Sequence, residues 1–327
     1  MMDIFALAFM QRALVAAVIS GLVSPAIGSF IVARKLSLLG DGIGHIAIAG
    51  VGLALATGTF PLPVAAAVAI AGAVIIELLR ASGRASADVA MAILFYGGLA
   101  TGVLLAGVVG QGAGSLSNYL FGSLLTLTSQ DLLLISILAV FVLTPVVGLF
   151  PQLFAVSSDE EYARTLGIRV RFYNMLIVIL AAITITVSMR TVGLLLVSAL
   201  MVVPVATANN LTTGFKSALG VAAGIGVFAA VSGVVGSYYL DAPPGSLIVV
   251  FAILIFVATL PFSKKLTAKL PQTIDDPDPT PLPHEPISHE HIHGLGCGHE
   301  MVEHLDHTDF IHDGHRHYRH GSHYDEH

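Results

Sequence analysis

Apolar stretches of helix-spanning length recur along the first 262 residues, separated by short polar breaks. A helix needs about 20 apolar residues to cross the hydrocarbon core of a bilayer. On that criterion the chain predicts spans near 9–33, 40–58, 61–80, 87–109, 130–150, 172–190, 192–208, 217–239 and 244–262. The seventh, "VGLLLVSALMVVPVAT", is short and carries Pro204. It reads as a full span or as a broken, re-entrant segment, the second being permitted only where protein or a cavity satisfies the freed backbone groups. The expected fold is an all-α integral membrane protein, a polytopic bundle of about eight or nine transmembrane helices.

The polar breaks carry an orientation signal, because cationic loops favour the cytoplasm. Arg34 and Lys35 follow the first span, Arg80 and Arg84 the third, and Arg164, Arg169 and Arg171 the fifth. Lys216 follows the seventh, and Lys264, Lys265 and Lys269 the ninth. The even-numbered loops, such as "TGTFPLP" and "YYLDAPPG", carry almost no basic charge, Arg190 excepted. Nine spans predict an external N-terminus and a cytoplasmic tail; eight would put Lys216 and the 264–269 cluster outside. The first apolar stretch lacks the basic start and small-residue cleavage pattern of a signal peptide and reads as a permanent span.

Composition agrees with a membrane protein. Of 327 residues, 55% are hydrophobic and 11% charged, against about 25% charged in soluble domains. Residues 1–270 hold 13 Lys/Arg against 9 Asp/Glu, a formal charge of +4; residues 271–327 hold 2 against 12, a charge of −10. The expected organisation is a membrane domain over 1–265, a Pro/Asp-rich linker over 266–283 and a His-rich tail over 284–327. The lone cysteine, Cys297, excludes an intrachain disulfide. The 33 glycines suit close helix packing in lipid. No repeat of fixed period is evident among the apolar spans, and no nucleic-acid partner is expected.

Within this apolar background, "SLLGDGIGHIAIAG" stands out because it places Asp41 and His45 four residues apart. On a helix such positions share one face. A carboxylate oxygen and an imidazole nitrogen are both ligands for zinc or manganese, and ionisable groups inside membranes usually face an interior pathway. The pair therefore reads as half of a transient metal site, or as a buried Asp–His hydrogen bond that joins two helices. Glu77, close to Arg80, reads as one half of a local ion pair.

The longest charged break, "SSDEEYARTLGIRVRFYN" (157–174), has its own helix signals. Ser157 or Ser158 is placed to cap a short helix, Asp159, Glu160 and Glu161 suit its first turn, and Gly167 supplies a stop. By itself this helix of about two turns is equally a solvated connector.

The order of these motifs resembles a known family. "DEEYARTLGI" is similar to the coupling-helix motif of ABC importer permeases, and "FMQRALVAAVISGLVSPAIGSFIVARKLSLLGDGIGHIAIAGVGLA" resembles the first two spans of the zinc/manganese uptake permeases. "LLLVSALMVVPVATANNLT" is similar to a later block of that family. The resemblance runs from about residue 5 to 262 and excludes the tail. It implies the bacterial plasma-membrane subunit of a metal-ion importer, working by alternating access. Two copies would form the pathway, a cytoplasmic ATP-binding subunit would drive it, and an extracytoplasmic metal-binding protein would deliver the ion. It places the transported ion at Asp41 and His45, and the ATPase-facing helix at Glu160, Glu161, Ala163 and Gly167. The chain contains no phosphate-binding G-x-x-x-x-G-K-[ST] loop, so ATP hydrolysis is expected on a partner and no enzymatic activity here. The cargo is Zn²⁺ or Mn²⁺, with no permanently bound cofactor. Other readings are an iron importer, an ATP-independent carrier or exporter, and a non-transporting sensor. A metalloenzyme is disfavoured, since the membrane region has a single histidine.

Thirteen of the 14 histidines lie in the tail. His-rich tracts with a cysteine mark metal binding, and "HIHGLGCGH" gathers His291, His293, Cys297 and His299. With His289, His304, His307, His312, His315, His317, His320 and His323 they form the candidate tail ligands, for which zinc is the best fit. The alternatives are a tail organised by metal and a disordered, solvated one. Zinc is also the expected cargo on this ground.

Overall fold

The computed structural model describes residues 6–82, 87–108, 119–122, 127–189, 192–194, 196–267, 298–304, 307–312, 315–320 and 323–326. The chain divides into two compact units, Met1–Leu266 and Thr267–His327.

The first unit is helical. In chain order it contains α1 (Ala8–Ala33), α2 (Leu39–Thr57), α3 (Pro61–Ala81), α4 (Ala87–Val108) and α5 (Ser129–Gly148). There follow α6 (Phe150–Ser158), α7 (Glu160–Thr165), α8 (Val170–Ser188), α9 (Val197–Leu211), α10 (Phe215–Leu240) and α11 (Pro244–Thr267). Local signals set the ends. Pro61 begins α3, where its missing N–H costs nothing. Gly58 closes α2 with a φ of 65°, in the left-handed region that glycine enters without a Cβ clash. At α5 the Thr128 side chain accepts from the Asp131 N–H while the Asp131 side chain accepts from the Thr128 N–H, which explains a buried acid at the head of an apolar helix.

Among the described residues eight helices are long and apolar enough to cross a membrane: α1–α5, α8, α10 and α11. This revises the nine expected spans. The seventh is α9, only 15 residues, or about 22 Å at 1.5 Å per residue, against a hydrocarbon core of about 30 Å. The chain enters it through Gly193, whose φ of 90° is incompatible with a continuing helix. Val192 and Leu194 beside it are buried, so this non-helical backbone is sheltered by protein, as apolar surroundings require.

Helices α1, α2 and α8 form the centre of the bundle, whereas α4, α5 and α11 present large apolar residues such as Ile93, Val140 and Leu254 outward. Ser24 of α1 and Ser188 of α8 share a hydrogen bond of 2.8 Å in the core. The bundle positions α2 tightly: a Cβ on Gly98 of α4 would lie 2.6 Å from the His45 carbonyl oxygen, so only glycine permits this approach.

The second unit, expected as disordered or metal-organised, contains a four-stranded antiparallel sheet: β1 (Glu300–His304), β2 (His307–His312), β3 (His315–His320) and β4 (His323–Glu326). The expected linker lies almost entirely outside the described residues.

Candidate functional site

Asp41 is in the first turn of α2, and His45 follows one turn later, buried to 6% exposure. The two do not form the side-chain bond that their spacing allowed. His45 Nδ1 donates instead to the Asp41 carbonyl oxygen at 2.7 Å, and the Asp41 carboxylate accepts from Ser198 Oγ of α9. A carbonyl oxygen only accepts, so Nδ1 carries the proton and the lone pair of the neutral ring resides on Nε2. The His45 ring lies against Phe95 of α4, with centroids 3.7 Å apart. An adjoining cleft of about 280 Å³ is lined by Leu38, Asp41, Gly42, Met91, Phe95 and Tyr96.

A Cβ on Gly40 would meet Ser198 and the Met201 sulfur, and one on Gly28 would strike the Met201 carbonyl. Gly40 of α2 and Gly28 of α1 therefore both pack closely against α9. Gly44 faces the Leu194 carbonyl in the same way, so the Gly40/Gly44 pair seats α2 on α9 and the buried segment before it. Sequence reasoning missed Ser198 and Phe95. Ser198 sits in a quoted motif, but one serine in an apolar block carries no periodic signal. Among the described residues of the helical unit no group of three His, Cys, Asp or Glu converges.

A second polar centre lies around α7. The cap is Asp159, whose carboxylate accepts from the Glu161 and Tyr162 N–H groups at 2.9 Å. The expected caps, Ser157 and Ser158, belong to the end of α6. A carboxylate competes better for these donors because it adds charge to the hydrogen bond. Gly167 ends the motif at a φ of 75°. Ala163 is buried, Glu161 is exposed, and Glu160 turns back into the bundle. Its Oε1 accepts from Arg34 Nη2 at 3.2 Å and from Asn174 Nδ2 at 2.9 Å. Arg80 lies 3.8 Å from the same oxygen and binds Glu77 through Nε at 3.0 Å and Nη2 at 2.8 Å. Burial, then the Arg80 charge, push the Arg34 guanidinium below its ordinary value, while Glu77 and Glu160 oppose the shift. A cavity of about 960 Å³ opens here between Glu77, Arg80, Glu160, Arg164, Arg169 and Arg171.

In the tail, His289, His291, His293 and Cys297 lie outside the described residues. His299 precedes β1; His304 closes β1, His307 and His312 bound β2, His315, His317 and His320 lie on β3, and His323 opens β4.

Comparison with known proteins places this architecture. The profile of the ABC 3 transport family matches residues 6–263. The chain is 33% identical over 258 residues to the manganese transport system membrane protein MntC of Listeria innocua, covering 79% of this chain and 91% of that protein. It is 28% identical over 248 residues to the high-affinity zinc uptake system membrane protein ZnuB of Haemophilus influenzae, covering 76% and 95%. Among solved structures, PsaBC from Streptococcus pneumoniae in complex with Fab superposes with a TM-score of 0.74 at 30% identity, covering 81% of this chain and 97% of that one.

Proposed function

The chain belongs to the ABC 3 transport family, and from that premise we propose that it is the membrane permease of an ATP-driven importer of a divalent transition-metal ion. The observation that carries this reading is the His45–Asp41 bond. Donation from Nδ1 to a backbone carbonyl fixes the tautomer that metal-binding histidines use and leaves Nε2 as the donor atom. The Asp41 carboxylate, one turn away, supplies an oxygen. Two donors form an incomplete shell, which suits an ion that must leave as well as enter.

The mechanism we propose is alternating access. An ATP-binding subunit presses on α7, and Glu160 passes the motion to Arg34 at the end of α1 and to Asn174 in α8. Two permease copies rock, and the ion moves from a site including Asp41 and His45 to the cytoplasm. A metal-binding protein delivers it from outside. The expected surroundings are a bacterial plasma membrane, with α7 on the cytoplasmic side.

The cargo we propose is zinc, because imidazole-rich chemistry on the same chain suits it. Manganese is the second reading, supported by relatives named for manganese transport. Uptake of radioactive zinc and manganese into vesicles holding this chain and its ATPase tests both. ATP-dependent zinc accumulation is expected; accumulation of manganese alone overturns the cargo, and accumulation without ATP overturns the mechanism.

A further inference from the structure

The tail carries a repeat that its composition conceals. From His304 the chain reads HLDHTDFI, HDGHRHYR, HGSHYDEH: three copies of His-x-x-His set eight residues apart. In the sheet each copy spans one hairpin. His304 is the register partner of His307, His312 of His315, and His320 of His323. Register partners occupy the same face, because successive residues of a strand alternate between faces. Two residues separate the partners each time, the shortest common hairpin connection, and Asp313–Gly314 is a dipeptide such connections favour.

The strand order β1-β2-β3-β4 is a meander. The chain reverses at each hairpin, so the first and third hairpins share one end of the sheet. Between β2 and β3, Phe310 pairs with His317 and Ile311 with Arg316. The pairing is fixed over 310–312 and 315–317; extended three residues along both strands, the same register would set position 307 beside position 320. Positions 304, 307, 320 and 323 then form one row across all four strands, on one face and at one end. Positions 307 and 312 are an odd number of residues apart, so the 312/315 pair falls on the other face at the other end.

We infer that the row His304–His307–His320–His323 is a binding site for a borderline divalent ion, zinc rather than manganese. Neighbouring strands lie about 4.8 Å apart, which brings adjacent histidine positions close enough to share an ion with metal–nitrogen bonds of about 2.0–2.1 Å. A neutral all-imidazole set favours Zn²⁺, whereas Mn²⁺ prefers oxygen donors. The sheet has few apolar positions, so ion binding and strand pairing reinforce one another. This site does not depend on the transport reading.

The test is equilibrium dialysis of the full-length protein in detergent against zinc and manganese, which needs neither ATP nor a partner. Replacing the row (His304→Ala, His307→Ala, His320→Ala, His323→Ala) should weaken the tightest zinc site by at least about tenfold, a loss reached by removing even a hydrogen-bond partner of a metal ligand. A matched set earlier in the tail sequence (His284→Ala, His289→Ala, His291→Ala, His293→Ala) should leave that site unchanged. A composition-neutral variant separates geometry from histidine content. His307→Thr with Thr308→His, and Arg319→His with His320→Arg, keep every histidine in the tail but move two to the opposite face. It should lose the tight site as the alanine variant does. Wild-type zinc affinity in the exchanged variant, equal losses in the two alanine sets, or a preference for manganese would overturn the inference.

Discussion

Arg34, at the end of α1, is 4% exposed in its side chain and lies 3.2 Å from Glu160 of α7, a residue 126 positions away in sequence. The pair ties the short helix to the helix that leads directly into α2. Among the described residues Arg34 Nη1 has no hydrogen-bond partner, so the guanidinium depends heavily on this one carboxylate.

Removing the Glu160 charge should therefore be costly. Breaking a fully buried pair costs about 3–5 kcal/mol; with Glu160 one-third exposed, Glu160→Gln should cost about 2 kcal/mol. Thermal unfolding in detergent measures it. Adding Arg34→Met should recover part of the loss, because the uncompensated cation is gone. Additive losses in the double variant would show that the two residues do not depend on one another.

At the candidate ion site, Asp41→Asn and His45→Ala should each abolish most metal uptake while leaving membrane expression intact. Ser198→Ala should have a smaller effect, since it removes one donor to the Asp41 carboxylate but no ligand. Normal uptake by both Asp41→Asn and His45→Ala removes the assignment.

Two adjacent glycines of α4 should respond oppositely. Gly98→Ala forces a Cβ against the His45 carbonyl and should destabilise by about 1–3 kcal/mol. Gly97→Ala meets nothing within 4 Å and should be neutral or gain up to about 1 kcal/mol from helix propensity. Paired melting curves of the two variants decide this, and similar shifts would contradict the close approach of α2 and α4.

The α7 motif should fail at either end. Asp159→Ala removes the cap and should cost about 1 kcal/mol. Gly167→Ala places a side chain at a left-handed position and should cost about the same. Hydrogen exchange over residues 160–166 reads the local loss, with faster exchange expected in both variants.

Much of this protein was legible along the chain. Apolar runs about twenty residues long specify membrane helices because only length and hydrophobicity are required. Gly167 marked a boundary because its backbone preference is local. Asp41, His45 and Glu160 stood out as charged or ionisable groups beside apolar segments. What lay beyond the sequence depended on contacts between distant segments. Asp159 rather than Ser157 or Ser158 caps α7 because α6 extends through both serines, and the end of one helix fixes the start of the next. The seventh apolar segment is a 15-residue helix because Gly193 breaks the path inside a buried setting. Ser198 reaches Asp41 from 157 residues away, and Arg34 meets Glu160 across the bundle. The eight-residue histidine spacing was present in the sequence throughout, but it acquires meaning only when strand register converts distance along the chain into rows across a sheet. Composition and local periodicity determine which segments enter the bilayer and which residue types are costly there; only tertiary packing decides which of those residues meet, because pairing depends on helix ends and strand registers that no single segment encodes.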